Sequence, residues 1–233
     1  MRNINAVFIK QMQSFFKNPA MYGAPMFFLG IPFFILLLVA DAATDRHLII
    51  SQFVVMFIGI SMIATSSGFI MEDRSTMNLR FMGMAGVKPY QYLIGTCTAL
   101  LIISIGAIAC FGIMLQYSGE EMAGFLIISL LGAVTSMLLG ITLSLSKIGG
   151  FTGIIGLLLG VGPIFAEANE VLANIFHFTY TMQITVVIRE GNIANLTESI
   201  QIVVINMIVI LIAFLLMNTR TGLDGEKIQR KEK

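Results

Sequence analysis

Six long stretches of this chain contain no aspartate, glutamate, lysine, arginine or histidine: residues 21–40, 48–71, 93–115, 122–146, 149–166 and 200–217. In water such runs would expose far too much apolar surface. In lipid each run closes its own backbone hydrogen bonds by coiling into a helix. About 20 apolar residues cross about 30 Å of hydrocarbon, so the first four runs are long enough and the last two are nearly so. Composition agrees, with 57% hydrophobic and 12% charged residues among 233, against about 25% charged in a soluble domain. The expected fold is an all-α membrane protein, one transmembrane domain over residues 1–233 with six transmembrane helices. Pro25 and Pro32 should bend the first span without preventing its insertion.

Ahead of the first span, residues 2–17 read as an amphipathic helix. Ile4, Val7, Phe8, Met12, Phe15 and Phe16 recur near 3.6-residue spacing, with Asn3, Lys10, Gln13, Ser14 and Lys17 on the other side. Such a helix lies in the membrane surface, its lysines near lipid headgroups, and Asn18-Pro19 turns the chain into the bilayer. The connecting segments then set orientation. With the N-terminus inside, the inner segments hold Arg2, Lys10, Lys17, Arg74, Arg80, Lys88, Lys147, Arg220, Lys227, Arg230, Lys231 and Lys233, twelve of the fourteen basic residues. Arg46 and Arg189 are left outside, where Asp41, Asp45, Glu120, Glu121, Glu167, Glu170, Glu190 and Glu198 gather. The positive-inside rule therefore predicts a multi-pass cell-membrane protein with both termini cytoplasmic.

An even number of crossings follows, which bears on residues 171–188. That segment is apolar enough to pass for a seventh span, yet a seventh crossing would export the basic tail. It also carries Asn174, His177, Thr181 and Thr185 at helical spacing, one polar stripe. The expectation is one or two amphipathic helices dipping into the outer leaflet between spans five and six.

Several chemistries are disfavoured. Cys97 and Cys110 sit in one apolar run, about 20 Å apart along a helix, too far to bridge. His47 and His177 are distant in sequence, and no Cys/His pattern forms a metal site. Net charge is +1, which gives nucleic acid nothing to grip. Intramembrane enzymes and ion-coupled carriers place ionisable groups within their spans, and these spans have none. The chain is not expected to be an enzyme.

The longest inner loop before the tail runs from Glu72 to Tyr90. Glu72-Asp73-Arg74-Ser75 reads as a helix start, its acids near the positive end of the dipole. Met77, Phe81, Met82, Met84 and Ala85 give that helix a crude apolar face, and Gly83, Gly86 and Pro89 stop it. It is either a solvated connector or a docking element for a partner's groove.

In its order of parts the chain resembles the permease subunit of type-2 ABC transporters. The surface helix, the proline-containing span and the acid-led loop are followed by Tyr92-Leu93-x-Gly95, with Glu72 and Thr76 also matching. Pro89 stands later than the family places its proline, and His177-Phe178-Thr179-Tyr180, before Arg189, lacks the proline usual between spans five and six. The resemblance implies an N-terminal elbow helix, a cytoplasmic coupling helix, a second permease (identical or related), and two cytoplasmic ABC ATPase subunits that bind ATP and magnesium. No cofactor is implied on this chain, and no G-x-x-x-x-G-K-[ST] phosphate loop occurs in it. Coupling to the ATPase falls by that match on Glu72, Asp73, Arg74, Leu79 and Phe81.

Mildly polar residues within the spans are open to two readings. Ser61, Thr65 and Ser66 in span two, with Thr135, Ser136, Thr142 and Ser144 in span four, either line a path or bond neighbouring helices. Gly153, Gly156 and Gly160 in span five either pack that helix tightly or mark the seam between two permeases. Cargo would be hydrophobic or amphipathic: peptide, lipid or drug. The alternative is a membrane immunity or sensor subunit that binds its partner without moving anything.

Overall fold

The computed structural model describes residues 2–38, 46–117, 119–146, 149–166, 169–190 and 196–221. Among them the chain is helical throughout, with no strand. The helices are α1 (Arg2–Lys17), α2 (Pro19–Leu38), α3 (Arg46–Met56), α4 (Met62–Ser75), α5 (Asn78–Met84) and α6 (Pro89–Leu115), then α7 (Gly119–Leu145), α8 (Thr152–Ala166), α9 (Glu170–Phe176), α10 (Tyr180–Glu190) and α11 (Leu196–Thr221). A π-helical turn, Phe57–Ser61, joins α3 to α4 without a break, so His47–Ser75 forms one span. Six helices are long and apolar enough to cross a membrane: Met21–Leu38, His47–Ser75, Pro89–Leu115, Gly119–Leu145, Gly149–Ala166 and Leu196–Met217. The fold is that of a multi-pass helical membrane protein. Asp41, Asp45, Lys147, Glu167, Lys227, Arg230, Lys231 and Lys233, which served the orientation argument, lie outside the described residues.

Span two is the centre of the bundle. It packs on α7, α8 and α2, and 61% of its most apolar window is buried, against 17% for α2 and 11% for α11. Lipid-soluble side chains need no protein cover, so α2 and α11 hold to the bundle along one side only. Gly59 lies in the π-helical turn, where a Cβ would come within 2.7 Å of the Gly160 backbone, and one on Gly156 would stand 3.2 Å from the Gly59 carbonyl. The absent side chains let two backbones touch, the arrangement small residues permit between membrane helices. Gly156 and Gly160 are thus used within the chain, whereas Gly153 has nothing within 4 Å.

Three sequence expectations are corrected. Glu72-Asp73-Arg74-Ser75 does not begin a helix; it is the last turn of α4. The hydroxyls of Ser75 and Thr76 donate to the Glu72 carbonyl at 2.9 and 2.7 Å, and Met77 in left-handed backbone (φ 56°) ends the run. Span three starts earlier than position 93, at Pro89, whose missing N–H costs nothing in a first turn. The stripe of Asn174, His177, Thr181 and Thr185 is split, because α9 and α10 meet at 110°. Asn174 and His177 are exposed, while Thr181 and Thr185 face the interior.

α10 is a core element. Tyr180, Thr181, Ile184 and Ile188 are all at most 2% exposed. Its two ends are tied to α7 and the turn before it: the Tyr180 and Ser136 hydroxyls lie 2.7 Å apart, and the Tyr117 hydroxyl donates to the Ile188 carbonyl at 2.9 Å. Burial, aided by the Glu121 carboxylate, pushes the Tyr117 hydroxyl up to about 12, so it stays a donor at every physiological pH.

Candidate functional site: a buried carboxylate joining four helices

The last turn of α4 carries two acids, Glu72 and Asp73, at the end where the helix dipole is negative. By local electrostatics they are misplaced. What stabilises them arrives from elsewhere in the chain. Asp73 is 1% exposed. One carboxylate oxygen, Oδ2, accepts from Gln11 Nε2 at 2.9 Å and from the Tyr92 hydroxyl at 2.8 Å. The other, Oδ1, forms an ion pair with Lys10 and accepts from Asn78 Nδ2 at 3.4 Å. A buried carboxylate is tolerable only when paired and hydrogen-bonded, and Asp73 has both kinds of partner.

α1 supplies most of this. Lys10, Gln11 and Ser14 form one stripe along it, continued by Asn18 just past its end, and Glu72 accepts from the Ser14 hydroxyl at 3.1 Å and from Asn18 Nδ2 at 3.5 Å. The helix can come close because Gly95 on α6 lacks a side chain: a Cβ there would sit 2.8 Å from Val7 and 3.0 Å from the Ile4 carbonyl. Gln11 also donates to Thr96 at 3.3 Å. Asn3 Nδ2, at the start of α1, reaches the Gly86 carbonyl at 3.3 Å and Gln91 Oε1 at 3.4 Å. Tyr92 and Gly95, the residues of the Tyr-Leu-x-Gly resemblance, are therefore the seat on which α1 rests.

Arg74 turns the other way and donates to the Ser144 carbonyl at 2.8 Å. A cation there satisfies a free carbonyl in the last turn of α7 and suits the dipole. Leu79 anchors α5: it is 7% exposed and packs in a cluster with Val7, Ile70, Tyr92, Ile141, Leu145 and Phe214. α1, α4, α5, α6, α7 and α11 all contribute to that cluster. The opposite side of α5 and its flanks is open, with Met77 at 50%, Phe81 at 60%, Met84 at 64% and Tyr90 at 54% exposure.

The five residues matched to ATPase coupling thus divide. Asp73 and Leu79 are buried, Glu72 and the exposed Arg74 hydrogen-bond within the chain, and Phe81 faces out. Ser61, Thr65 and Ser66 are buried, and α4 crosses α7 so closely that a Cβ on Gly140 would fall 2.6 Å from the Ile63 carbonyl. Sequence reasoning missed Gln11 and Lys10 as partners of Asp73. The signal was Gln11 itself, a polar residue between Val7 and Phe15 on the line that becomes fully buried. Among the described residues no three His, Cys, Asp or Glu side chains gather as metal ligands would.

Against protein-family models, curated proteins and solved structures the chain has no match. Fold and site together define a polytopic helical membrane protein whose N-terminal helix α1 and short helix α5 are tied to one end of the bundle through the buried Asp73 carboxylate.

Proposed function

We propose that this chain is the permease subunit of a type-2 ABC exporter, moving hydrophobic or amphipathic cargo out of the cell. Both termini are then cytoplasmic, α1 is the elbow helix, and α5 is the coupling helix. Separate ATP-binding subunits and a second permease complete the machine. The observation that carries this reading is the two-sidedness of α5. Phe81, Met77 and Met84 stand out as apolar knobs, while Leu79 and the hydrogen bond from Asn78 to Asp73 fix the same seven-residue helix to spans two and three. A knob on a rigid mount is what an ATPase groove needs in order to move the bundle. Span five would meet the second permease through Gly153 and the exposed Ile154, Leu157 and Phe165.

The test is co-purification. The wild-type chain, tagged and extracted from its own membranes, should bring down a cytoplasmic ATPase whose turnover cargo stimulates. The Phe81→Ala/Met84→Ala variant should elute as a folded protein but lose that ATPase. An ATPase retained at wild-type yield, or none bound by the wild-type chain, would refute the reading.

A further inference from the structure

The break between α9 and α10 lies deep in the bundle. Asn206 Nδ2 on α11 donates to the Phe178 carbonyl at 2.8 Å, and Asn206 stands midway along the 22-residue span Leu196–Met217. It is about ten residues below Leu196, or about 15 Å at the rise of an α-helix. Two other ties also place the turn below the edge of the bundle. Tyr180 meets Ser136, in the middle of α7, while Ile188 at the far end of α10 meets Tyr117 at the edge of the bundle. With Leu196–Met217 crossing the bilayer, the turn between α9 and α10 stands near the level of mid-hydrocarbon.

Irregular backbone at that depth must be satisfied by protein or water, and here protein does it. Gln183 Nε2 donates to the His177 carbonyl at 2.6 Å and Asn206 to that of Phe178 at 2.8 Å. In turn, Gln183 Oε1 accepts from Ser199 at 2.9 Å. The side chains are another matter. Asn174 and His177 are exposed on the open side of the turn, beside Ile175 at 61% and Phe178 at 71% exposure. An amide and an imidazole facing hydrocarbon at mid-depth are costly, and polar groups there face the bundle interior or a water-filled cavity. They do not face the interior.

We propose that the open side of the α9–α10 turn, with Asn174 and His177 on it, is the wall of a water-filled cleft that reaches the middle of the membrane. This rests on the depth of the turn and the exposure of its side chains and not on the ATPase reading, so the two can fail separately. The experiment uses full-length protein with Cys97→Ala and Cys110→Ala, in membrane fragments open on both faces. Single cysteines are introduced by His177→Cys and Asn174→Cys. Ile102→Cys and Ile208→Cys, both 48% exposed, serve as lipid-facing controls. The probe is a permanently charged methanethiosulfonate, which reacts with thiolate and therefore only where water ionises the thiol. Cysteines at 174 and 177 should react about tenfold or more faster than the controls. Rates equal to the controls would overturn the proposal. So would copper-catalysed pairing of two cysteines at 177 with slow labelling, which would put a second copy over the turn. Each variant is first matched to the parent by elution in detergent, and if His177→Cys fails that, Asn174→Cys decides alone.

Discussion

Replacing Tyr92 with phenylalanine removes one oxygen and leaves the packing in place. The ring is 2% exposed and stays among Val7, Ile70 and Leu79, so no cavity opens. What goes is the 2.8 Å hydrogen bond to Asp73 Oδ2. A hydrogen bond to a charged acceptor contributes about 1.5–3 kcal/mol. Gln11 remains on the same oxygen at 2.9 Å, and Lys10 on the other, which puts the loss near the lower end, about 2 kcal/mol. With Asp73→Asn the acceptor is neutral, and a neutral pair contributes about 0.5–1.5 kcal/mol. Tyr92→Phe should therefore cost about 1 kcal/mol less in the Asp73→Asn background than in wild type. The assay is reversible unfolding in mixed micelles with rising SDS, run on the wild type, both single variants and the double. Independent sites add within about 0.3–0.5 kcal/mol. Additivity at that level, or a Tyr92→Phe protein as stable as wild type, would refute the claim that this hydroxyl helps hold a charged carboxylate.

The same unfolding measurement checks two further expectations. Gly59→Ala drives a methyl to within 2.7 Å of the Gly160 backbone, which has no flexible end to yield, and should cost about 1–3 kcal/mol; Gly153→Ala, with nothing within 4 Å, should be neutral or stabilise by about 0.5–1 kcal/mol. Tyr180→Phe removes the 2.7 Å contact with Ser136 and should cost about 0.5–1.5 kcal/mol, with no change there sinking the claim that α10 is fixed at its buried end.

The spans were legible because the hydropathic pattern that inserts a helix is carried by each segment alone. All six appear close to their expected bounds, Pro25 and Pro32 included. The site was legible only in part, and the reason is distance along the chain. Asp73 is satisfied by Lys10, Gln11 and Tyr92, which lie 63, 62 and 19 residues away. No window of sequence contains them together. Read locally, Glu72 and Asp73 belong at a helix N-terminus; three donors from α1 and Asn18 just past its end hold them at a C-terminus instead. A similar limit explains residues 171–188. Their polar positions share one helical period, but the turn at 177–179 takes its hydrogen bonds from Gln183 and from Asn206 on α11, and only the latter's arrival fixes the break.

A helix as short as α5 cannot hold itself together in water, since fewer than about 12 residues rarely repay the cost of nucleation. Its existence therefore depends on what it touches. Leu79 buries it, and Asn78, its first residue, donates to the carboxylate that also binds α1 and α6. Any displacement of α5 must strain that carboxylate or drag α1 and α6 along with it. Because moving α5 away alone would also uncover Leu79, at about 1.5–3 kcal/mol for a buried leucine side chain, dragging is the cheaper response. The end of span two, the start of span three and α1 should consequently move as one body, and under the proposed function the exposed Phe81 and Met84 would be the handles by which a partner moves it.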